Sequence, residues 1–238
     1  MTSATVFNFI EACQEPGCPV CRMEQHSVEH YLDNQCYENV NDPAFRDHLR
    51  RSLGFCKDHA WLAANEHLGD ALGFALIYRD VIATALERLD KEGPFSSQKR
   101  AGWLKRIPDQ VSALVYRSVY AFTPQKHCPV CQKRDESVAL VVSSLVKELE
   151  NPEVEAALRF SGGVCLPHLR MCLKEVQDVA SLEKLIAIHR AKLEKLHDEL
   201  SELIRKSDYR FAREGFGEEG DSWLRAVELV AGGIRSKK

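Results

Sequence analysis

Four short cysteine-bearing phrases carry the chemistry this sequence could do. Cys18 and Cys21 frame Cys-Pro-Val-Cys, and Cys128 and Cys131 frame it again, letter for letter. Cys56 and His59 close a Cys-x-x-His, as do Cys165 and His168, each inside a Gly-x-Cys-x-x-His phrase. Cys21 to Cys56 spans 35 positions and Cys131 to Cys165 spans 34. Thiolates three apart on a tight turn, with a thiolate and an imidazole on one helical turn, are the donors of a tetrahedral metal site. Of nine histidines, His59 and His168 alone stand three after a cysteine, and both do so at the matching place.

The simplest closure takes each repeat by itself: Cys18, Cys21, Cys56 and His59 in the first, Cys128, Cys131, Cys165 and His168 in the second. A pairing exchanged between repeats satisfies the same spacing. Three sulfurs and one nitrogen with no open position suit two structural Zn2+ ions. Cys13 extends the first motif to Cys-x4-Cys-x2-Cys, the plant-type ferredoxin spacing, so an iron–sulfur cluster with Cys13 as ligand is the alternative cofactor. Against it, position 123 of the second copy is Thr, and the surroundings read as helical.

These residues need elements to position them, and the duplication supplies the plan. With Pro43 set over Pro152, Leu49 falls on Leu158, Arg50 on Arg159, Ser52 on Ser161 and Gly54 on Gly163 without a gap. Such self-similarity marks an internal repeat. After each Cys-Pro-Val-Cys comes a helical stretch, clearest in Val138, Val141, Val142, Leu145 and Leu149. Asp42-Pro43 and Asn151-Pro152 read as an N-cap and first helical residue, and Gly54 and Gly163 as helix stops. A long third helix follows each Cys-x-x-His, with an apolar stripe through Leu62, Leu68, Leu72, Leu76, Ile82, Leu86 and Leu89 in the first copy. In the second, a break is expected near Ala180. The fold class is therefore all-α: two pseudo-repeated three-helix units, each with a Cys/His metal site. The boundaries drawn are 1–92 and 109–206 for the repeats, 93–108 for a linker and 207–238 for a C-terminal clip.

Composition narrows the function. At 238 residues the chain can bury a core without covalent staples. Nine cysteines, an odd count, rule out a complete intrachain disulfide framework. A net charge of −3 offers no global basic field, so nucleic acid is not the expected partner. No leader-like N-terminus and no apolar run of spanning length are present, which predicts a cytoplasmic protein off the membrane. Trp103 among Lys99, Arg100, Lys105 and Arg106 reads as a solvated linker with one anchoring aromatic. Cys36 and Cys172 read as core residues, His26 and His30 as surface groups, and the Glu194–His197 spacing as solvated helix face.

The C-terminal "SDYRFAREGFGEEGDSWLRA" is expected to fold back over the long helix as a clip that buries Tyr209, Phe211, Phe216 and Trp223. Its charges, Asp208, Arg210, Arg213, Glu218, Asp221 and Arg225, compose a polar site in the competing reading. The two Cys-Pro-Val-Cys and Gly-x-Cys-x-x-His copies, ending in Asp-Tyr-Arg-Phe and Gly-Glu-Glu-Gly-Asp-Ser-Trp-x-Arg-Ala, resemble an uncharacterised bacterial family known as a domain of unknown function. The resemblance implies a bacterial cytoplasmic setting and supplies no activity. The leading function from the residues is a metal-stabilised binding or adaptor module with a protein partner. An iron–sulfur electron carrier or thiol-based redox sensor competes with it, and an enzyme ranks behind both, because no catalytic constellation remains once the eight ligands are set aside.

Overall fold

The computed structural model describes residues 4–65, 67–92, 107–211 and 213–233. Most of the linker, with Trp103 and its basic neighbours, lies outside them. Among the described residues there is no strand. The helices are α1 (Ala4–Ala12), α2 (Pro19–Asp33), α3 (Pro43–Ser52), α4 (Lys57–Asn65), α5 (Ala71–Glu92), α6 (Ile107–Ala121), α7 (Pro129–Lys147), α8 (Pro152–Phe160), α9 (Leu166–Glu175), α10 (Val179–Lys206) and α11 (Ser222–Ala231). A π-helical turn, Asn34–Glu38, extends α2. No helix among the described residues is long and apolar enough to cross a membrane.

The duplication is visible element by element, with α1 to α5 repeated as α6 to α10. Asp42 caps α3 by accepting from Phe45 N–H at 2.7 Å, and Asn151 caps α8 by accepting from Glu153 N–H at 3.0 Å, each with proline next. Gly54 and Gly163 both take φ +91°. The stripe on α7 is buried at Val138, Val141, Val142, Leu145 and Leu149.

The long third helix is in two pieces in both copies. In the second the break comes at Val176–Asp178, where Asp178 caps α10 by accepting from Ser181 N–H at 2.8 Å. In the first, α4 ends at Asn65 and α5 starts afresh at Ala71. That restart resets the helical phase. Leu72, Ile82 and Leu86, expected inside, are more than half exposed, and Ile77 and Val81 are buried instead. Gly69 makes the turn, at φ +138°, where a Cβ would lie 2.7 Å from Cys36 Cβ.

Two compact units form. One comprises residues 1–26 and 136–238, the other 27–135. The chain leaves the first within α2 and returns to it within α7, so this partition cuts across the 1–92 and 109–206 segments of the duplicated sequence. The first unit packs Val6 and Phe9 of α1 with Val142 and Leu145 of α7, Leu158 of α8 and Leu185 and Ile188 of α10. The second packs Val28 and Leu32 of α2 with Phe45, Leu49, Ile77 and Val81. Cys36 and Cys172 are fully buried in these cores.

The C-terminal segment folds back on α10. Charge, rather than aromatic burial, holds it there. Glu219, 8 % exposed, accepts from Lys206 Nζ at 2.8 Å and from Gly217 N–H at 2.9 Å. Tyr209, Phe216 and Trp223 stay more than half exposed. Phe211 lies under the Arg205 guanidinium, 4.5 Å from its centroid. Ion pairs from Arg205, Lys206 and Glu199 of α10 reach Glu214, Glu219 and Arg225 of the segment.

Candidate metal centres

Each ligand pair is built the same way. Cys18, Cys56, Cys128 and Cys165 stand immediately before α2, α4, α7 and α9, and their carbonyls accept the first helical hydrogen bonds from Arg22, Ala60, Gln132 and Leu169. The second ligand follows three residues later, on the same face of the first turn. The positive ends of four helices therefore point at sulfur, where they stabilise thiolate.

The pairs close across the repeats. Cys18 and Cys21 meet Cys165 and His168, and Cys128 and Cys131 meet Cys56 and His59. The within-repeat grouping preferred from the sequence gives way to the exchanged one. The reason lies in the path of α2 and α7, which leaves each Cys-Pro-Val-Cys in the same compact unit as the other copy's Cys-x-x-His.

The two sets are nearly congruent. Cys21 Sγ lies 3.6 Å from Cys165 Sγ, and Cys131 Sγ lies 3.6 Å from Cys56 Sγ. His168 Nδ1 is 3.8, 3.4 and 3.3 Å from the sulfurs of Cys18, Cys21 and Cys165. His59 Nδ1 is 3.8, 3.3 and 3.2 Å from those of Cys128, Cys131 and Cys56. With metal–sulfur bonds of about 2.3 Å and metal–nitrogen bonds of about 2.0 Å, a tetrahedron has edges of roughly 3.5 to 3.8 Å. Either set could hold one metal ion. All nine cysteines are free thiols.

Burial and the close sulfurs of Cys56 and Cys128 act against the thiolate at Cys131, pushing the thiol up to about 12. Burial opposes a charged His168, yet the Cys165 and Cys18 sulfurs against its ring hold it up at about 10. A dication at the centre of such a set removes that repulsion.

The surroundings of the two sets differ. His168 Nε2 faces Glu24 Oε2 at 3.5 Å, the arrangement by which a carboxylate orients a metal-ligating imidazole and strengthens its donor nitrogen. The repeat places Arg134 at the position of Glu24, and it pairs with Asp135 at 2.7 Å. Burial first, and then the Arg134 charge, push His59 down. Cys18, Cys21, Cys165 and His168 are all buried, whereas Cys56 and Cys131 are partly exposed.

Sequence reasoning missed three contributors to the first set. Gly233 N–H donates to Cys21 Sγ at 3.2 Å. Gly232, at φ +80°, sits where a Cβ would come 3.3 Å from Cys165 Sγ. The Gly-Gly pair after the last helix was the available signal. His189, 3 % exposed, accepts from Val164 N–H at 3.1 Å through Nε2 while its Nδ1 donates to the Leu185 carbonyl at 2.8 Å, which fixes the loop entering Cys165.

Other candidates lie apart from these sets. Cys13 is not among the ligand atoms brought together. Its thiol is 1 % exposed in the core, and burial pushes it up to about 12. His26 and His30 are exposed, as are Glu194 and His197, with Glu194 paired to Arg190. The C-terminal charges form two groups. Asp208 pairs with Arg210 at 2.7 Å, while Arg225 donates to Asp221 at 2.7 Å, to Glu199 and to the Glu218 carbonyl. Arg213 is exposed.

The family of unknown function DUF6062 matches residues 6–237. An uncharacterized 23.9 kDa protein encoded in the xynA 3' region of Caldicellulosiruptor sp. (strain Rt8B.4) is 26 % identical over 225 residues, which cover 94 % of this chain and 98 % of that protein. No solved structure matches the chain.

Proposed function

For a chain that belongs to the family of unknown function DUF6062, we propose a metal-stabilised binding module in which each Cys3His set holds one structural zinc ion. The observation that carries this reading is the congruence of two four-donor shells whose ligand atoms all lie within 4.8 Å of one another. That separation supports a single ion over a cluster, because a cluster interposes several iron and sulfide atoms between its cysteines. Four protein donors leave no open position for substrate, which favours a structural over a catalytic metal. Exposed Val111, Val115, Tyr116, Val119 and Tyr120 on α6 support a protein partner, since contiguous apolar exposure is characteristic of interaction surfaces.

The test is to purify the full chain without oxygen and measure zinc, iron and acid-labile sulfide. The expected result is about two zinc ions per chain, no sulfide and no visible absorbance. Iron with matching sulfide overturns the reading.

A second reading, redox sensing, draws on the unequal exposure of the two sets. Cys56 and Cys131 meet solvent where Cys18, Cys21 and Cys165 do not, and oxidation of zinc-bound thiolate follows access. Under limiting hydrogen peroxide, one equivalent of zinc is expected to leave at least about tenfold faster than the other. Mass mapping should place the early oxidation on Cys56 or Cys131. Release of both equivalents at one rate speaks against a sensor in the second set.

A further inference from the structure

Beside the first metal centre, and in the same compact unit, a cleft of about 690 Å³ opens between α8, α10 and α11. Its volume is that of a small-molecule site. Four basic and three acidic side chains line it. Arg225 is neutralised by Asp221 and Glu199, Lys195 lies 3.6 Å from Glu199, and Arg159 pairs with Glu155.

Lys192 differs from these. Its ammonium donates to the Arg159 carbonyl at 2.9 Å and to the Ser161 carbonyl, bonds that cap α8 without cancelling charge. Burial pushes its pKa down, and the charges of Lys195 and Arg159 push the same way. An ammonium uses three donors, and two are committed to these carbonyls.

The opposite requirement, an apolar surface, is met at the rim. Phe160 lines the cleft and is 79 % exposed, and Ile188, Leu196 and Leu229 line it deeper. Part of the lining is bare backbone, at Gly17, Gly162 and Gly163, and a Cβ on Gly162 would lie 3.3 Å from the Gly17 carbonyl oxygen.

We propose that this cleft binds a small organic anion with a planar apolar body, its acidic group on Lys192 and its body against Phe160 and Leu196. The acidic group is a carboxylate, sulfonate or phosphate, any of which gives the ammonium a charge-assisted bond in a partly desolvated place. The apolar body covers a ring that is otherwise left to water. Cys18 of the neighbouring set also lines the cleft, while Lys192, Phe160 and Leu196 stand outside that set.

The probe is 1-anilinonaphthalene-8-sulfonate, with the uncharged N-phenyl-1-naphthylamine as comparison, titrated by fluorescence into the full chain as purified. One saturable site per chain is expected, with the uncharged probe weaker by about tenfold or more. Lys192→Met should weaken the anion by about tenfold while leaving the uncharged probe unchanged, and Lys192→Arg should retain binding. Phe160→Ala, at an exposed position, should weaken both probes about threefold to tenfold. Should Lys192→Met fail to fold, Phe160→Ala and the charged-to-uncharged ratio on the unaltered chain decide. Binding without saturation, equal affinity for the two probes, or folded Lys192→Met and Phe160→Ala proteins that bind like the original would each overturn the proposal.

Discussion

Replacing Cys18 and Cys165 together by serine is expected to leave one metal ion per chain, whereas replacing Cys18 and Cys56 together leaves none. Cys18 and Cys165 belong to one ligand set, so the double change damages a single centre, while Cys18 and Cys56 sit in different sets. Pairing within the repeats gives the reverse pattern, so metal content alone separates the two topologies. The effect on folding should be large. Structural zinc contributes about 10–16 kcal/mol in zinc-finger peptides, which rivals the roughly 5–15 kcal/mol that holds a whole domain. The Cys18→Ser/Cys165→Ser chain is therefore expected to lose native structure in the unit of residues 1–26 and 136–238 while residues 27–135 keep theirs. Hydrogen exchange followed residue by residue reads that division.

The second large effect is expected from one methyl group at a residue outside both ligand sets. Gly69→Ala places a Cβ 2.7 Å from Cys36 Cβ and 2.9 Å from Phe74 Cε2, at φ +138°. The backbone conformation costs an alanine about 1–3 kcal/mol and the overpacking about 1–3 more. Neither neighbour gives way easily, because Cys36 is fully buried and Phe74 is packed against the core around it. A loss of roughly 2–6 kcal/mol is expected in urea denaturation at constant metal loading. A melting curve like that of the unaltered chain would mean the α4–α5 turn is not fixed by this contact.

The half-sites were legible because their rules are local. Cys-x-x-Cys and Cys-x-x-His need only one helical turn each, and Asp42-Pro43 and Asn151-Pro152 announce their helices within four residues. The stripe of α7 was legible for the same reason, as an uninterrupted helix keeps one phase from Val138 to Leu149. The pairing was not, since both groupings have the same local spacing and differ only in the path of α2 and α7 between units. The break between α4 and α5 was hidden similarly. Gly69 is called for by Cys36, 33 residues earlier, and without that contact the leucines on either side read as one stripe. Glu219 escaped notice among neighbouring acids, because its burial comes from Lys206 on α10 rather than from its own surroundings.

Exchange between the repeats also sets an order of events for the nascent chain. The set joining Cys56 to Cys131 closes a separation of 75 residues, and the set joining Cys21 to Cys165 closes one of 144 that encloses it entirely. The inner set is complete once residue 131 has been synthesised, while the Cys-Pro-Val-Cys at residues 18–21 still waits for a partner thirty-odd residues away from being made. The longer closure adds only about 0.6 kcal/mol of chain entropy. If each set takes an ion, synthesis rather than chain entropy would let the inner set fill first, and the Gly233 N–H that donates to Cys21 Sγ would reach the outer set last.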